Sequence, residues 1–264
     1  MTKVQFEVVD RVAVVTLNRP ESLNALDAET HALLAETWVE IKSRREIRVL
    51  VFTGNGRGFC VGMDLKYVGE RGEFRKTDPN ATELHTMTPL SNDVWLPTIV
   101  AVNGVCAGGG LHFVADADIV VASSAATFTD PHVTYGQVAA LEPIGLIPRI
   151  GLGNSLRLAL LGRAGRFDAA EALRICLVDE VVEPEELLPR ALELATAISR
   201  NSPAAVRRTK RAIWESLDVP PAEAMRHGWE AFRSHREHPD ALEGPRAFAE
   251  RRDPVWSDVD ESAG

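Results

Sequence analysis

Residues 107–110 (AGGG) follow an apolar run, residues 98–106 (TIVAVNGVC), and precede a second apolar segment, residues 111–116 (LHFVAD). We interpret this stretch as a strand that passes through glycines into a helix. Glycines let the backbone approach a bound atom closely, and the first N–H groups of a helix have no partner within it. The junction can therefore donate hydrogen bonds to an oxygen that gains negative charge. A glycine triplet alone more often marks a tight turn or close helix packing.

A second strand is predicted to end in a similar loop. Residues 47–52 (IRVLVF) are mostly apolar, and residues 53–66 (TGNGRGFCVGMDLK) that follow them are rich in glycine. Two loops of this kind can supply two backbone donors to one ligand oxygen.

Two segments of these loops carry a family resemblance. Residues 58–65 (GFCVGMDL) and 103–110 (NGVCAGGG) resemble the paired signatures of the enoyl-CoA hydratase/isomerase, or crotonase, superfamily. The similarity continues through residues 17–20 (LNRP), 24–26 (NAL) and 247–252 (AFAERR), so it covers nearly the whole chain.

Composition narrows the class of protein. The 264 residues are 45% hydrophobic, which is typical of a soluble globular chain able to bury one core. A net charge of −9 argues against a nucleic-acid surface. The three cysteines (Cys60, Cys106 and Cys176) are widely spaced, as expected for reduced thiols without metal-ligand spacing. No signal peptide or membrane segment is evident, so we expect a cytoplasmic protein without a membrane partner.

The pattern of segments predicts an α/β fold. Asp27 is the expected N-cap of a helix that runs towards Arg44. Strands alternating with helices favour a largely parallel sheet, and the resemblance implies the family's spiral of ββα units. The predicted strands are residues 4–9, 12–17, 47–53, 98–103 and 118–122.

Helical spacing dominates after Pro184. We therefore divide the chain into a crotonase-like core, residues 1–200, and a C-terminal helical region, residues 201–264. The resemblance implies that these helices form an oligomerisation region, packing between subunits of a homotrimer or hexamer. A solvated helical appendage is the alternative.

The resemblance also implies where a coenzyme A thioester would bind. Its carbonyl would lie between the backbone N–H groups of Met63 and Gly109, although Met63 could instead simply fill the core. Coenzyme A is expected as part of an acyl-CoA substrate, with no permanently bound cofactor. The residues that match the family's CoA contacts are Ala25, Cys60, Gly62, Lys66, Phe232 and Arg251. Lys66 and Arg251 could equally be solvated surface charges.

The positions of the family's two catalytic glutamates hold His112 and His132 in this chain. Hydration through two carboxylates therefore cannot operate unchanged. A neutral and a protonated imidazole could divide the base and acid roles, or both histidines could only shape the site. Asp130 and Glu142 could orient an imidazole, or could be ordinary surface carboxylates.

Three functions follow from these residues. The first is an acyl-CoA hydratase or isomerase that uses the two amides as an oxyanion hole. The second is a hydrolase of β-diketones or thioesters, suggested by a carboxylate beside His132. The third is a non-catalytic acyl-CoA-binding protein, suggested by the missing glutamates.

Two other motifs are rejected. Residues 54–58 (GNGRG) resemble the start of a dinucleotide fingerprint, but Phe59 stands where its third glycine would be expected. His235 and His238 have no third ligand nearby, so we expect no metal site there.

Overall fold

The computed structural model describes residues 2–64 and 87–257 of the chain. It begins with a hairpin of β1 (Val4–Val9) and β2 (Val12–Leu17), as the sequence predicts. Asp10 and Arg11 turn the chain with φ values of 47° and 70°, the left-handed conformation that two-residue hairpin turns use.

The strands that follow come in consecutive pairs and fall into two sheets. The first member of each pair joins a six-stranded sheet of order β1-β2-β3-β5-β7-β10, and the second joins a four-stranded sheet of order β4-β6-β8-β9. Apart from the hairpin and β9, neighbouring strands are parallel. This alternation is the predicted spiral. The pairs and the two later strands are β3 (Val49–Gly54), β4 (Gly58–Cys60), β5 (Thr98–Val102), β6 (Val105–Ala107), β7 (Ile119–Ser123), β8 (Thr127–Thr129), β9 (Phe167–Asp168) and β10 (Glu180–Val182).

Helices cover the outside of the sheets, and local caps fix several of their starts. The Thr30 amide donates to the Asp27 carboxylate at 2.9 Å, and the Glu171 amide donates to the Asp168 carboxylate at 2.8 Å. Such caps satisfy amides that have no partner within the helix. The helices are α1 (Ala28–Ser43), α2 (Leu111–Ala115), α3 (Leu141–Leu161), α4 (Ala169–Arg174), α5 (Leu187–Ser199), α6 (Pro203–Glu215), α7 (Pro221–His235) and α8 (Asp240–Glu250).

The central strands of the six-stranded sheet are buried on both faces. On one face Phe52 stacks on Phe113 with ring centroids 4.3 Å apart, within the larger hydrophobic cluster. On the other face valines of β2 and β3 pack against Ala191 and Ala195 of α5. Because parallel strands buried on both faces leave little freedom of register, the loops at their carboxyl ends are held firmly.

Helix α3 is two helices joined at a break. Gly151 has φ 71° and ψ 164°, which interrupts the helical backbone. By length and composition alone, residues Leu141–Ala164 could cross a membrane, with a mean hydropathy of 1.2. Core helices of soluble proteins meet the same criterion, and the break at Gly151 is unfavourable for a helix in lipid. The absence of a membrane partner stays a prediction.

The C-terminal helices are tied to the core through Asp118. Its carboxylate accepts hydrogen bonds from Trp214 Nε1 at 2.7 Å and pairs with Lys210 Nζ at 2.8 Å. Lys210 also donates to the Leu96 carbonyl at 2.8 Å. The proposed division of the chain at residue 200 stays a prediction.

Candidate active site

Two asparagines hold the glycine-rich loop after β3. Asn24 Nδ2 donates to the Gly58 carbonyl at 2.8 Å, and Asn103 Nδ2 donates to the same carbonyl at 3.0 Å. Asn24 is buried and has φ 57°, a conformation that asparagine tolerates better than most residues. Both asparagines lie within the sequence motifs, but the motifs alone predict no role for them.

A short parallel bridge fixes the end of this loop. The Leu26 amide donates to the Gly62 carbonyl at 2.8 Å, and the Asp64 amide donates to the Leu26 carbonyl at 3.1 Å. Arg19 donates to the Ala25 carbonyl at 2.6 Å and pairs with Asp64 at 3.1 Å. Ala25, a predicted CoA contact, therefore lies beside the loop that carries the predicted donor Met63.

The two glycine loops meet each other closely. A Cβ placed on Gly62 would lie 2.6 Å from the Gly109 nitrogen, and one placed on Gly110 would lie 2.3 Å from the Cys60 carbonyl oxygen. A Cβ on Gly109 would lie 3.9 Å from the Met63 nitrogen. Only glycines permit this approach, so the sequence brings the amides of residues 63 and 109 to one place.

The Met63 side chain is 49% exposed, which rules out the alternative that it merely fills the core. An exposed methionine beside paired amides offers an adaptable apolar surface to a ligand. Cys60 is fully buried, and burial raises the pKa of its thiol to about 12. Cys60 can thus contribute backbone and packing to this region, while its thiol stays protonated at neutral pH.

A cluster of two histidines and one carboxylate lies next to the glycine triplet. Glu142, in the first turn of α3, places Oε1 3.3 Å from Nε2 of His112 on α2. The same oxygen lies 3.8 Å from Nε2 of His132. A Cβ on Gly108 would touch the His132 ring at 3.4 Å, which joins this cluster to the loop of the predicted donor Gly109.

Asp130 holds the other side of the His132 ring. Its Oδ1 is 2.5 Å from His132 Nδ1 and accepts the backbone N–H of His132 at 3.1 Å. This contact favours the form with a proton on Nδ1, so that Nε2 is directed towards Glu142. Both carboxylates are buried, Asp130 completely and Glu142 with 6% exposed. The alternative that they are surface charges is therefore wrong.

The surroundings of His132 and Glu142 favour a positive charge on the imidazole and a negative charge on the carboxylate. The hydrogen bond to Asp130 raises the pKa of His132 above that of a free imidazole, although burial opposes this. Burial raises the pKa of Glu142, but the hydrogen bond and charge of His112 outweigh it, so the net pKa lies below the ordinary value. An ionised Glu142 beside a readily protonated His132 is a base next to an acid.

The composition of the cluster is also that of a metal site. Asp130, His132 and Glu142 can place one ligand atom each within 4.8 Å of one another. Two ligands of a tetrahedral zinc, each about 2.1 Å from the ion, stand about 3.4 Å apart. The 2.5 Å contact between Asp130 and His132 is shorter than that and is a hydrogen bond.

The remaining predicted CoA contacts are scattered. Lys66 lies outside the described residues. Phe232 is 58% exposed on α7 and stacks on Trp229 with centroids 5.4 Å apart. Arg251 ends α8 in a left-handed conformation, with φ 55°. Within residues 2–64 and 87–257, no hydrogen bond or ring contact ties Phe232 or Arg251 to the glycine loops.

Comparison with known proteins identifies the class that this fold and site define. The model of the Enoyl-CoA hydratase/isomerase family matches residues 7–259. A crystal structure of an enoyl-CoA hydratase/isomerase from Mycobacterium paratuberculosis has a TM-score of 0.89 and 37% identity, covering 98% of this chain and 99% of that one. An enoyl-CoA hydratase from Mycobacterium tuberculosis H37Rv has a TM-score of 0.87 and 32% identity, covering 98% and 100%.

Curated relatives agree with this class. The chain is 34% identical to (E)-benzylidenesuccinyl-CoA hydratase of Thauera aromatica over 96% of this chain and 98% of that one. It is 38% identical to mevalonyl-coenzyme A hydratase of Aspergillus fumigatus over 93% and 91%. The chain belongs to the enoyl-CoA hydratase/isomerase family and has its crotonase fold, as the two glycine signatures predict.

Proposed function

We propose that this protein is a lyase that adds water to, or removes it from, an acyl-CoA thioester. The observation that carries the proposal is the buried Glu142 carboxylate, which lies near two imidazoles and close to the loops that carry the backbone nitrogens of residues 63 and 109. Two relatives named as hydratases of CoA thioesters support it. Coenzyme A enters as part of the substrate.

In the hydration direction, the backbone amides act on the thioester carbonyl. As water adds to the β-carbon, the electron pair of the double bond moves towards the carbonyl oxygen and forms an enolate. The Met63 and Gly109 N–H groups donate to that oxygen, and they stabilise it most when it is fully charged. One such donor is typically worth about a hundred- to a thousand-fold in rate.

Glu142 and the histidines move the protons. The Glu142 carboxylate takes a proton from the attacking water, whose oxygen bonds to the β-carbon. An imidazolium at His132 gives its proton to the α-carbon of the enolate, which completes the addition of H and OH. His112, hydrogen-bonded to Glu142, orients the carboxylate. Proton transfer from Glu142 back to His132 restores the starting state across their 3.8 Å separation.

This assignment refines the expectation drawn from sequence. The two histidines stand at the positions of the family's glutamates, and we propose that the carboxylate function has moved to Glu142. Acid and base then remain distinct groups of opposite charge, which two facing imidazoles alone would not provide. Migration of a double bond by the same groups is the related isomerase reaction.

The proposal is tested by turnover of enoyl-CoA thioesters. Purified protein incubated with crotonyl-CoA and with longer 2-enoyl-CoAs should lower the absorbance of the conjugated thioester, and mass spectrometry should find a product heavier by one water. The assay should cover about pH 5 to 9, because activity requires Glu142 to be ionised, which fails at low pH, and His132 to be protonated, which fails at high pH. No change with any 2- or 3-enoyl-CoA across that range would reject the assignment.

A hydrolase is the second candidate, and the Asp130–His132 contact favours it. A carboxylate-oriented imidazole can activate water against a thioester or a β-diketone, with the same amides stabilising the tetrahedral oxyanion. Assays for free thiol from acyl-CoAs, and for acid released from β-diketones, distinguish it. Release of either product without hydration would replace the first proposal. A purely acyl-CoA-binding protein would not need the buried ionised Glu142.

We also propose a homotrimer, or a hexamer of two trimers, located in the cytoplasm. Apolar side chains of the C-terminal helices are exposed in the single chain, and exposed patches of this kind commonly mark subunit contacts. In such an assembly Phe232 and Arg251 would serve a CoA site between chains. The exposed side chains are Met225, Trp229, Phe232 and Phe248, with 76%, 62%, 58% and 87% of their surface accessible.

Replacing Asp130 with asparagine should change the pH dependence of the reaction more than its maximum rate. The pKa of His132 is raised by Asp130, so its imidazolium persists above the pKa of 6.5 of free imidazole. The Asp130→Asn variant lacks the carboxylate that raises the pKa of His132, so this pKa should fall. The alkaline limb of the kcat/KM profile should therefore move to lower pH. The acidic limb, set by Glu142, should stay in place.

NMR titration of the His132 ring gives an independent readout of the same shift. Exposed Asp253→Asn serves as the matched control and should leave both limbs unchanged. An alkaline limb at the same pH in Asp130→Asn and wild type would show that His132 is not the acid.

A further inference from the structure

A basic groove lies at the opposite end of the sheet from the proposed active site. It is formed by the end of α1, the segment before β5, and α6, and it encloses about 410 Å³. Its residues Ile47 and Leu96 lie just before β3 and β5, whereas the glycine loops follow those strands. A six-residue strand is about 20 Å long, so the two sites are separate.

The charge of this groove is opposite to that of the chain, whose net charge is −9. Asp93 is its one acidic lining residue among those the structure describes. Carboxylates already neutralise some of the basic side chains, since Arg44 pairs with Glu40 and Glu46, and Arg211 pairs with Glu215. The basic lining residues are Lys42, Arg44, Arg45, Arg207, Arg208 and Arg211.

The positive charges of Lys42, Arg45 and Arg208 are available to a ligand. Lys42 donates to the Asn92 carbonyl, and Arg208 donates to the Ser234 hydroxyl. Arg45 is exposed. None of the three has a carboxylate within 4.0 Å among the residues that the structure describes. Guanidinium groups bind phosphate through paired hydrogen bonds, and an ammonium group binds it as a point charge, so these three side chains can bind an anion such as phosphate.

The rest of the groove is apolar and aromatic. Ile41, Ile47, Val94 and Leu96 are buried and form its floor. Trp95 lines the same groove, and the Arg211 guanidinium lies 5.2 Å from its ring centroid. An inorganic anion would leave this floor unused. A ligand that combines phosphates with a flat, largely apolar ring matches both parts, and the volume suits a small organic molecule.

We propose that this groove binds a purine nucleoside diphosphate group. The phosphates contact Lys42, Arg45 and Arg208, and the base lies on the apolar floor beside Trp95. Free ADP and the nucleotide end of a coenzyme A molecule share this chemistry. In either case the site lies apart from the acyl-CoA thioester site proposed above, and ligand bound there would not touch the reacting carbons.

Calorimetric titration with ADP tests the proposal by comparing the wild-type protein with a variant in which two charges of the groove are reversed. We expect Arg45→Glu combined with Arg208→Glu to weaken ADP binding at least about tenfold, because two phosphate contacts become repulsive. Enoyl-CoA turnover should be unchanged. Arg166→Glu, an exposed charge reversal away from the groove, is the matched control and should bind ADP as wild type does. Circular dichroism confirms that each variant is folded.

A parallel titration with coenzyme A separates the two sources. If coenzyme A uses the groove, its stoichiometry should fall by one molecule per chain in the double variant; if only free nucleotide does, that stoichiometry stays the same while ADP binding is lost. Equal ADP affinity in wild type and double variant, or no ADP binding to wild type at about 1 mM, would overturn the proposal. The ADP readout stands even if enoyl-CoA hydration is not found.

Discussion

Replacement of Glu142 by glutamine is expected to lower kcat for enoyl-CoA hydration about a thousand-fold, within the range that a general base contributes. Glutamine keeps the shape of the side chain and can still hydrogen-bond His112, but it cannot accept a proton from water. The buried Glu142 carboxylate lies 3.3 Å and 3.8 Å from Nε2 of the two imidazoles, whereas the nearby Asp130 carboxylate is bound to Nδ1 of His132. KM should change little.

Two control variants separate chemistry from structure in this experiment. Glu142→Asp retains the charge on a shorter side chain and should recover part of the lost rate. Glu185→Gln changes an exposed glutamate before α5 and should be fully active. If Glu142→Gln kept more than about a tenth of the wild-type kcat, Glu142 would not be the base and a histidine would have to fill that role.

Replacement of Gly62 by alanine should lower kcat/KM about a hundred- to a thousand-fold, the cost of losing one oxyanion donor. The added Cβ would lie 2.6 Å from the Gly109 nitrogen, closer than carbon and nitrogen can approach without bonding. One loop must then move, and the proposed alignment of the amides of residues 63 and 109 towards one oxygen is lost. Steady-state kinetics with crotonyl-CoA measures the effect.

Gly151→Ala is the matched control for the backbone strain in this variant. Gly62 and Gly151 have φ values of 77° and 71°, so an alanine is strained at both positions. A Cβ on Gly151 meets no atom within 4 Å, so only strain is added there. Gly151→Ala should lower stability and leave kcat/KM near wild type. Equal kinetic losses in both variants would attribute the effect to strain instead.

Local sequence patterns predicted much of the fold, because each predicted element carries its own signal. The β1–β2 hairpin has the predicted bounds, since the alternating side chains of β1, the apolar segment of β2 and the Asp10-Arg11 turn between them specify it locally. Asp27 was the predicted N-cap of α1, and its carboxylate accepts the Thr30 amide. The distribution of consecutive strands between two sheets depends on long-range packing, and the family resemblance supplied it.

The active-site cluster was predicted only in part, because its members come from separate elements. His112 and His132 were recognised from the motifs around them. The sequence predicts Glu142 only as one of two possible orienting groups, because spacing along the chain does not show that α3 begins beside α2. The sequence does not predict the roles of Asn24 and Asn103, since a side-chain amide that binds a loop carbonyl has no distinctive local pattern.

A crystal structure with a bound, unreactive acyl-CoA thioester would test the central claim most directly. Both the Met63 and Gly109 nitrogens should lie within about 3.1 Å of the thioester carbonyl oxygen, the distance of an effective oxyanion donor. The Glu142 carboxylate should face the β-carbon with room for one water. A carbonyl oxygen that contacts only one amide or neither, or an acyl chain directed away from Glu142, would contradict the account.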